Sequence, residues 1–274
     1  SLEYVRNLHT AMIRCITHSP FRDGLVLSTG NDQKLTLTAM TSSTVLQTYS
    51  IPSAGWSCTF DPFDSNCLIA GLANGSIAMF DLCKTSTTPT RLLDPALERK
   101  LPIHSLYMRK PNIIIGATMD GPFAVELESG SLLWAAKFDV QGACTSMSVD
   151  GNKMILSYRR IHMDLPAKCV VAELGASGSI ESHAIFEADS SQKVMSRFAI
   201  LSADSTTTCF LPDEPTSSLH LYHRKQNEGR FDLYAKIETR SAHPLLDIKH
   251  GECSQHGRIL GALTGTDLYI FHKS

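Results

Sequence analysis

Two short apolar strands joined by a tight polar turn occur twice near the start of this chain. The first copy spans residues 25–39 and turns at Asn31–Asp32, and the second spans residues 68–81 and turns at Asn74–Gly75. The copies lie roughly 43 residues apart, which is the period of a WD40 blade with its four antiparallel strands. The repeat therefore predicts an all-β chain folded as a WD40-type β-propeller.

The number of blades follows from the number of innermost strands, which are short apolar stretches that each follow a loop. Six stretches fit this description: Ile13–His18, Trp56–Phe60, Ile103–Met108, Cys144–Val149, Arg197–Leu201 and Leu245–Ile248. Six blades are therefore visible in the chain, and a seventh remains an alternative if upstream residues supply it.

Both ends of the chain bear on how such a propeller closes. The chain begins at Ser1 without a methionine, which predicts a piece of a longer protein. Residues 3–7 resemble an outer strand, whereas the last blade ends without a fourth strand of its own. Sharing one blade between the two ends removes free sheet edges. We therefore expect residues 1–274 to form a single domain in which residues 3–7 complete the last blade.

The Asn74–Gly75 dipeptide predicts a two-residue hairpin turn of type I′. This turn needs positive φ at both central residues, and asparagine and glycine tolerate that conformation best. Asn31–Asp32 and Asp120–Gly121 occupy equivalent places in the first and third blades.

Charge and cysteine content narrow the function classes. The 25 basic and 27 acidic residues give a net charge of −2, so direct nucleic-acid binding is not expected. Eight cysteines without paired short spacing predict reduced core thiols. No apolar run approaches the ~18 residues of a membrane span, and no membrane partner is expected.

Catalytic motifs are absent from the sequence: it has no nucleophile elbow, no phosphate-binding loop and no paired-carboxylate motif. We therefore predict no catalytic, cofactor or metal residue in this chain. His250, Cys253 and His256 have a spacing that could hold zinc with a fourth ligand, but a plain loop is the favoured interpretation. A propeller enzyme with a site assembled from scattered residues remains the third alternative.

A propeller commonly binds partners through the loops that lead into its innermost strands. Arginine, methionine and aromatic residues are frequent anchors of protein interfaces, which favours Met12, Arg14 and Trp56 among the candidates. The alternative for Trp56 is that it only packs between blades. The candidate partner-binding residues are Met12, Arg14, Trp56, His104, Thr145, His243 and Pro244.

Two segments, LTLTAMTSSTVLQTY (residues 35–49) and AGLANGSI (residues 70–77), resemble the C-terminal propeller of RING-finger and WD-repeat E3 ubiquitin ligases that act on replication protein A. The resemblance implies a protein whose RING recruits an E2 enzyme while the propeller, itself non-catalytic, holds the substrate. The RING, with its zinc ligands, is not in this chain.

The resemblance also implies the biological setting. It makes replication protein A and a strand-exchange recombinase the partners, in the DNA damage response at stalled forks and interstrand crosslinks. The implied location is nuclear, with a cytoplasmic pool as an addition. The alternative is a generic WD40 interaction scaffold without a ligase, which upstream sequence lacking a RING and coiled coil would favour.

Overall fold

A computed structural model of the chain describes residues 8–160, 166–188, 192, 194–203, 206–225, 230–239, 241–253, 257–264 and 266–272, with the backbone alone at 203, 225, 251–253, 257–258 and 272. These residues form 23 β-strands in six antiparallel sheets. Among them there is no helix of the length and apolar character that crossing a membrane requires. The all-β prediction is confirmed. The chain divides into two compact units, Ser1–Ala136 and Lys137–Ser274, and each contains three sheets.

The first unit consists of three four-stranded sheets, each formed by strands that pair in chain order. The first sheet has β1 (Ile13–His18), β2 (Leu25–Gly30), β3 (Lys34–Ala39) and β4 (Thr44–Ser50). The second has β5 (Gly55–Phe60), β6 (Cys67–Leu72), β7 (Ile77–Asp81) and β8 (Arg91–Leu93). The third has β9 (Ser105–Lys110), β10 (Ile113–Thr118), β11 (Gly121–Glu126) and β12 (Leu132–Ala135).

The second unit repeats this pattern with longer strands. Its first sheet has β13 (Ala143–Asp150), β14 (Lys153–Arg159), β15 (Lys168–Leu174) and β16 (Ile180–Glu187). The next has β17 (Ala199–Ala203), β18 (Thr206–Asp213), β19 (Ser218–Lys225) and β20 (Asp232–Glu238). The last, over the described residues, has β21 (Asp247–Cys253), β22 (Gly257–Leu263) and β23 (Leu268–His272).

The closure prediction concerns residues outside this description. Residues 3–7 are not among the described ones, so their place beside the last blade stays a prediction, as does the single domain over residues 1–274.

Core packing in the first unit follows the position of each strand in its sheet. The middle strands β2, β3, β6 and β7 are mostly buried on both faces, whereas the outer strand β4 is largely exposed. Leu27, Leu35 and Leu68 are fully buried. The rings of Tyr49 and Phe80 lie 4.8 Å apart between the first two sheets. Phe80, which is 1% exposed, and Asp81 are the last two residues of β7.

The predicted innermost strands are found in all six sheets, with shifted boundaries in some. Residues Ile13–His18 match β1 as predicted. Ile103 and Leu245 were placed in strands by the prediction, but β9 begins at Ser105 and β21 at Asp247. Both side chains are fully buried in the segments that lead into those strands. An apolar residue predicts a buried side chain. At Ile103 and Leu245 that side chain is buried although the residue precedes the strand.

The type I′ prediction at Asn74–Gly75 is wrong. The amide of Gly75 donates to the carbonyl of Leu72 at 3.2 Å, so the turn is centred one residue earlier, on Ala73–Asn74. Only Gly75 has positive φ, at 81°. This is the alternative hairpin in which a turn is followed by one left-handed residue. In the first sheet, Gln33 likewise follows the turn residues Asn31–Asp32 with a left-handed φ of 57°.

Candidate functional site

Three of the predicted binding residues lie at the same structural position, next to the start of an innermost strand. The ladder of β1 skips Arg14, because Ile13 pairs with Gly30 and Cys15 with Thr29. Trp56 is skipped in β5 in the same way, and Thr145 in β13. A β-bulge of this kind bends the strand and re-aims the side chain of the extra residue. The bulge is therefore the local device that positions these side chains.

Arg14 and Trp56 form one contact between the first two sheets. The guanidinium carbon of Arg14 lies 4.4 Å from the centroid of the Trp56 ring, which is a cation–π geometry. The Nε of Arg14 donates to the Oδ1 of Asn31 at 3.0 Å. Both side chains are half-buried. The structure thus brings together two of the predicted residues and fixes the plane of the guanidinium from two sides.

Met12 precedes this pair in the chain and is presented to solvent. Its side chain is 63% exposed. Its backbone is held, because its carbonyl accepts from the amide of Asn31 at 2.9 Å. Gly30 permits this approach, since a Cβ there would overlap the carbonyl oxygen of Met12. The loop is therefore anchored while the methionine side chain remains accessible.

Gly55 determines how closely Trp56 approaches the first sheet. A Cβ at this position would overlap the hydroxyl of Thr29 on the neighbouring sheet. Glycine therefore allows β5 to approach the first sheet closely enough for the Trp56 ring to meet Arg14. Trp56 is half-buried: part of its side chain packs against the first sheet, and part of it is accessible to solvent.

His104 and Thr145 are at the predicted loops, but their side chains are buried. His104 is 6% exposed, and its Nδ1 lies 2.9 Å from the hydroxyl of Ser105. Thr145 is 2% exposed and lies within 3.4 Å of Ser157 and of the amide oxygen of Gln192. Gln192 is itself 1% exposed, and no local sequence pattern indicates this contact, because Gln192 lies 47 residues from Thr145 in the chain.

His243 and Pro244 lie in the loop before β21 of the second unit. His243 is exposed and Pro244 is partly buried. The amide of His243 donates to the hydroxyl of Ser241 at 3.1 Å, and that hydroxyl contacts Asp267 at 3.0 Å. Hydrogen bonds from Thr266 and Ser241 are the main causes that lower the pKa of Asp267 below its usual value. The loop thus presents a histidine next to an ionised carboxylate.

A hydrogen-bond network under the Arg14 loop was not among the predicted site residues. The Nδ1 of His9 lies 2.9 Å from the carboxylate of Asp32, and its Nε2 lies 2.9 Å from the hydroxyl of Ser28. The amide of Thr10 also donates to Asp32, at 3.0 Å. The network ties the segment before β1 to the turn that carries Asn31. The sequence signal was the Leu8–His9–Thr10 stretch, which resembles the start of a WD40 repeat.

The loop predicted around His250 and Cys253 is wrong, because both residues lie on strand β21. Within the described residues there is no group of three or more histidine, cysteine or acidic side chains that could hold a metal ion. The side chains of Cys253 and His256 lie outside the described part of the chain. The zinc alternative at His250, Cys253 and His256 therefore stays untested.

Consecutive antiparallel sheets of four strands, with the His9–Asp32–Ser28 network in the first, define a β-propeller of the WD40 type. The chain belongs to the family of the WD40 domain of E3 ubiquitin-protein ligase RFWD3, because the family model matches residues 1–272. The resemblance drawn from residues 35–49 and 70–77 is thus confirmed.

Curated relatives agree with this family. E3 ubiquitin-protein ligase RFWD3 of Homo sapiens and that of Mus musculus are each 33% identical over 132 residues, which is 48% of this chain and 17% of the relative. That of Ailuropoda melanoleuca is 29% identical over 168 residues, 58% of this chain and 22% of the relative. The chain therefore spans only about a fifth of the length of these relatives.

A solved structure shows the same fold at low sequence identity. One chain of the crystal structure of a mitotic checkpoint complex superposes with a TM-score of 0.73 at 12% identity. The match covers 96% of this chain and 75% of that chain. At this identity the likeness extends to the fold alone.

Proposed function

We propose that this chain is the substrate-recognition propeller of a RING-type E3 ubiquitin ligase. The observation that supports it is the family match over residues 1–272, with relatives named as E3 ubiquitin-protein ligase RFWD3. In the proposed protein, a RING outside this chain holds zinc and binds the ubiquitin-charged E2. The propeller is non-catalytic and holds the substrate within reach of that E2.

The proposed substrates are replication protein A and a strand-exchange recombinase, ubiquitinated in the nucleus during repair of stalled forks and interstrand crosslinks. A net charge of −2 is in keeping with protein rather than DNA as the direct partner. Docking a substrate near the E2 raises the local concentration of its lysines, which is the chemical contribution expected of a binding domain.

Substrate contact is assigned first to the surface formed by Met12, Arg14 and Trp56, called the Arg14–Trp56 surface below. It combines a positive charge, an aromatic ring and an exposed methionine, which are the residue types that dominate interface energetics. The buried His104 and Thr145 are expected to support their loops. His243 and Pro244 remain proposed contacts on the second unit.

The test is a pull-down of purified replication protein A by this chain, with Arg14→Ala and Trp56→Ala as variants. Loss of an interface anchor costs about 2 kcal/mol or more, so each variant should weaken binding by about tenfold or more. Arg99→Ala is the matched control, because Arg99 is an exposed arginine that pairs with Asp120 instead of an aromatic ring. Circular dichroism of each variant checks folding.

Two results would contradict the proposal in different ways. Absence of any retained replication protein A would argue for a generic WD40 scaffold. Retention that is unchanged in folded Arg14→Ala and Trp56→Ala variants would move the contact to another surface of the chain.

A further inference from the structure

Two segments of the chain combine a hydroxyl side chain, a proline directly after it and an arginine two residues further on. They are Ser19–Pro20–Phe21–Arg22 and Thr88–Pro89–Thr90–Arg91. Of the 12 prolines in the chain, only these two follow a serine or a threonine. Proline carries no backbone N–H, so a kinase pocket that offers no acceptor at this position selects proline over other residues. Both segments therefore have the pattern of a substrate for a proline-directed serine/threonine kinase.

The first of these hydroxyl groups is enclosed by its own turn. Ser19 is 8% exposed, and its hydroxyl oxygen accepts from the amides of Phe21 and Arg22 at 3.2 Å each. Its amide donates to the carbonyl of Leu25 at 2.8 Å. A hydroxyl held in this way can reach the γ-phosphate of a kinase-bound nucleotide only after the turn between β1 and β2 opens.

The second hydroxyl group lies on an exposed loop. Residues 82–90 connect β7 to β8, and the side chains of residues 83–88 are all exposed. The hydroxyl of Thr88 lies 2.9 Å from that of Ser86, in the same loop. The amide of Thr88 donates to the same Ser86 oxygen at 3.2 Å. Thr88 is therefore accessible to an enzyme without the opening of any strand.

The arginine of the second segment is also accessible. Arg91 is the first residue of β8, and its side chain is exposed. One of its guanidinium nitrogens donates to the carbonyl of Glu128 at 2.8 Å. Among the described residues no carboxylate pairs with Arg91. Since a guanidinium has five N–H donors, this single contact leaves donors for an acidic group of a kinase.

We propose that Thr88 is a phosphorylation site for a proline-directed serine/threonine kinase, and that Ser19 is protected from the same kinase by burial. The Oγ1 of Thr88 attacks the γ-phosphorus of ATP, and an O–P bond forms while the bond to the bridging oxygen of ADP breaks. The hydroxyl proton passes to the catalytic aspartate of the kinase. The phosphate changes the net charge of the chain from −2 to about −4.

The modified loop lies at the opposite end of the second sheet from Trp56. Asp81, at the end of β7, pairs with Cys67 at the start of β6. Gly55, at the start of β5, pairs with Leu72 at the end of β6. The length of β6 therefore separates the loop after β7 from Trp56. Phosphorylation of this loop neither requires nor covers the surface around Trp56, so the two proposals can fail separately.

The test treats the purified chain and two synthetic peptides, residues 15–25 and 84–94, with a cyclin-dependent kinase and ATP. Fragmentation mass spectrometry locates the phosphate. Both peptides should be phosphorylated, because each carries the pattern in an open chain. In the folded chain, Thr88 should react about tenfold or more faster than Ser19, because Ser19 reacts only after local opening. The phosphorylated chain should also migrate faster on a native gel, because its negative charge is larger.

Four variants of the chain identify the groups that the kinase reads. Thr88→Ala should abolish phosphate uptake in the folded chain, and Thr88→Ser should restore it. Pro89→Ala should remove most of the uptake although the hydroxyl stays exposed, because the new residue carries a backbone N–H. Thr87→Ala is the matched control, since Thr87 is an exposed neighbour without a proline after it, and it should leave uptake unchanged.

Two kinds of result would contradict the proposal. It is overturned if the 84–94 peptide or the folded chain takes up no phosphate at Thr88, or if Thr87→Ala abolishes uptake as Thr88→Ala does. Equal rates at Ser19 and Thr88 in the folded chain, or a 15–25 peptide that is not phosphorylated, would refute protection of Ser19 by burial.

Discussion

His9 connects two segments of the first sheet through both nitrogens of its ring. One nitrogen contacts the carboxylate of Asp32 and the other the hydroxyl of Ser28, while the Thr10 amide also donates to Asp32. The side chains of His9 and Asp32 are 1% and 4% exposed. An ionised carboxylate buried to this degree is stable only while these donors remain, so the loop that carries Arg14 depends on them.

Asp32→Asn should lower the free energy of unfolding by about 1–3 kcal/mol at neutral pH, because a buried hydrogen-bonded charge is lost. Burial alone would raise the pKa of Asp32, but the His9 and Thr10 hydrogen bonds and the charge of His9 lower it overall. A carboxyl group with a lowered native pKa stabilises the fold above its usual pKa of 3.8. That stability is lost as the pH falls through the lowered value.

Urea unfolding of the wild type and of Asp32→Asn between pH 2 and 7 measures this effect. The difference between the two proteins should be constant near neutrality and shrink at the acid end. Asp23→Asn is the control, since Asp23 is exposed on a nearby loop and its loss should change stability by less than ~0.5 kcal/mol. A difference that persists unchanged at pH 2 would contradict the assignment.

Gly55→Ala should destabilise the first unit by about 2 kcal/mol or more, because the added methyl group would overlap Thr29 on the adjacent sheet. It should also change the tryptophan fluorescence, since Trp56 follows directly. Gly151→Ala is the matched control: Gly151 has open space around it and a φ of 58°, so only about 1 kcal/mol of backbone strain is expected. If Gly55→Ala and Gly151→Ala lowered the free energy of unfolding equally, and Gly55→Ala kept the wild-type fluorescence, the two sheets would not meet closely at Gly55.

At the scale of elements, three outer strands carry a bulge at an exposed large side chain. The ladder skips Leu46 in β4, Leu133 in β12 and Tyr234 in β20. These side chains are 53%, 46% and 69% exposed. A bulge increases strand twist and makes a poor template for a second chain. The bulges therefore disfavour pairing of a second chain with these outer strands, although their exposed side chains are apolar.

Leu46→Glu should leave the free energy of unfolding within ~0.5 kcal/mol of the wild type, because the side chain is already in water. Leu35→Ala on the neighbouring β3 should cost about 2–5 kcal/mol, because Leu35 is fully buried. Chemical denaturation of both variants is the measurement. A large loss for Leu46→Glu would place Leu46 in the core and refute the described face of β4.

The elements nearest the repeat were the most predictable from sequence. Strand β1 matched its predicted bounds because a short stretch that contains Ile13, Cys15 and Ile16 is followed at once by the turn residues Ser19–Pro20. Ile103 and Leu245 were wrongly predicted to lie in strands, because their apolar character indicates burial and does not indicate which residues pair through backbone hydrogen bonds. The turn at Asn74–Gly75 shifted by one residue because a dipeptide allows more than one hairpin geometry.

At the scale of the whole molecule, the cysteines whose side chains the structure describes are free thiols, and most of them are buried. Seven are described and none of these is in a disulfide; five are buried, Cys67 is intermediate and Cys83 is exposed. Burial raises the pKa of Cys67 and of Cys144 to about 12 each. A thiol with so high a pKa stays protonated near neutral pH and reacts slowly, since the thiolate is the nucleophile.

Thiol labelling of the folded chain at pH 8 should modify one cysteine quickly in a Cys253→Ser background, and that cysteine should be Cys83. The background removes Cys253, whose side chain lies outside the described residues. Adding Cys83→Ser should abolish the fast phase, and urea should expose the remaining thiols together. Two or more fast thiols in the folded Cys253→Ser chain would contradict the described burial.

The candidate site was predictable in position but not in orientation. Arg14 and Trp56 were found because they lie where a loop meets an innermost strand, and the structure joins them. The same rule selected His104 and Thr145, whose side chains turn inward. Thr145 contacts Gln192, which lies 47 residues away in the chain. A local sequence pattern cannot predict a contact between residues so far apart.

The contact between Arg14 and Trp56 also links ligand binding to the cohesion of two sheets, because Arg14 belongs to the first sheet and Trp56 to the second. A ligand that contacts both residues acts as a clamp across the junction. Since it binds only the joined arrangement, it stabilises the fold by RT ln(1 + [L]/Kd), about 2.7 kcal/mol at a hundredfold excess over Kd. The melting temperature of this domain should therefore rise with the concentration of a true substrate segment and report its occupancy directly.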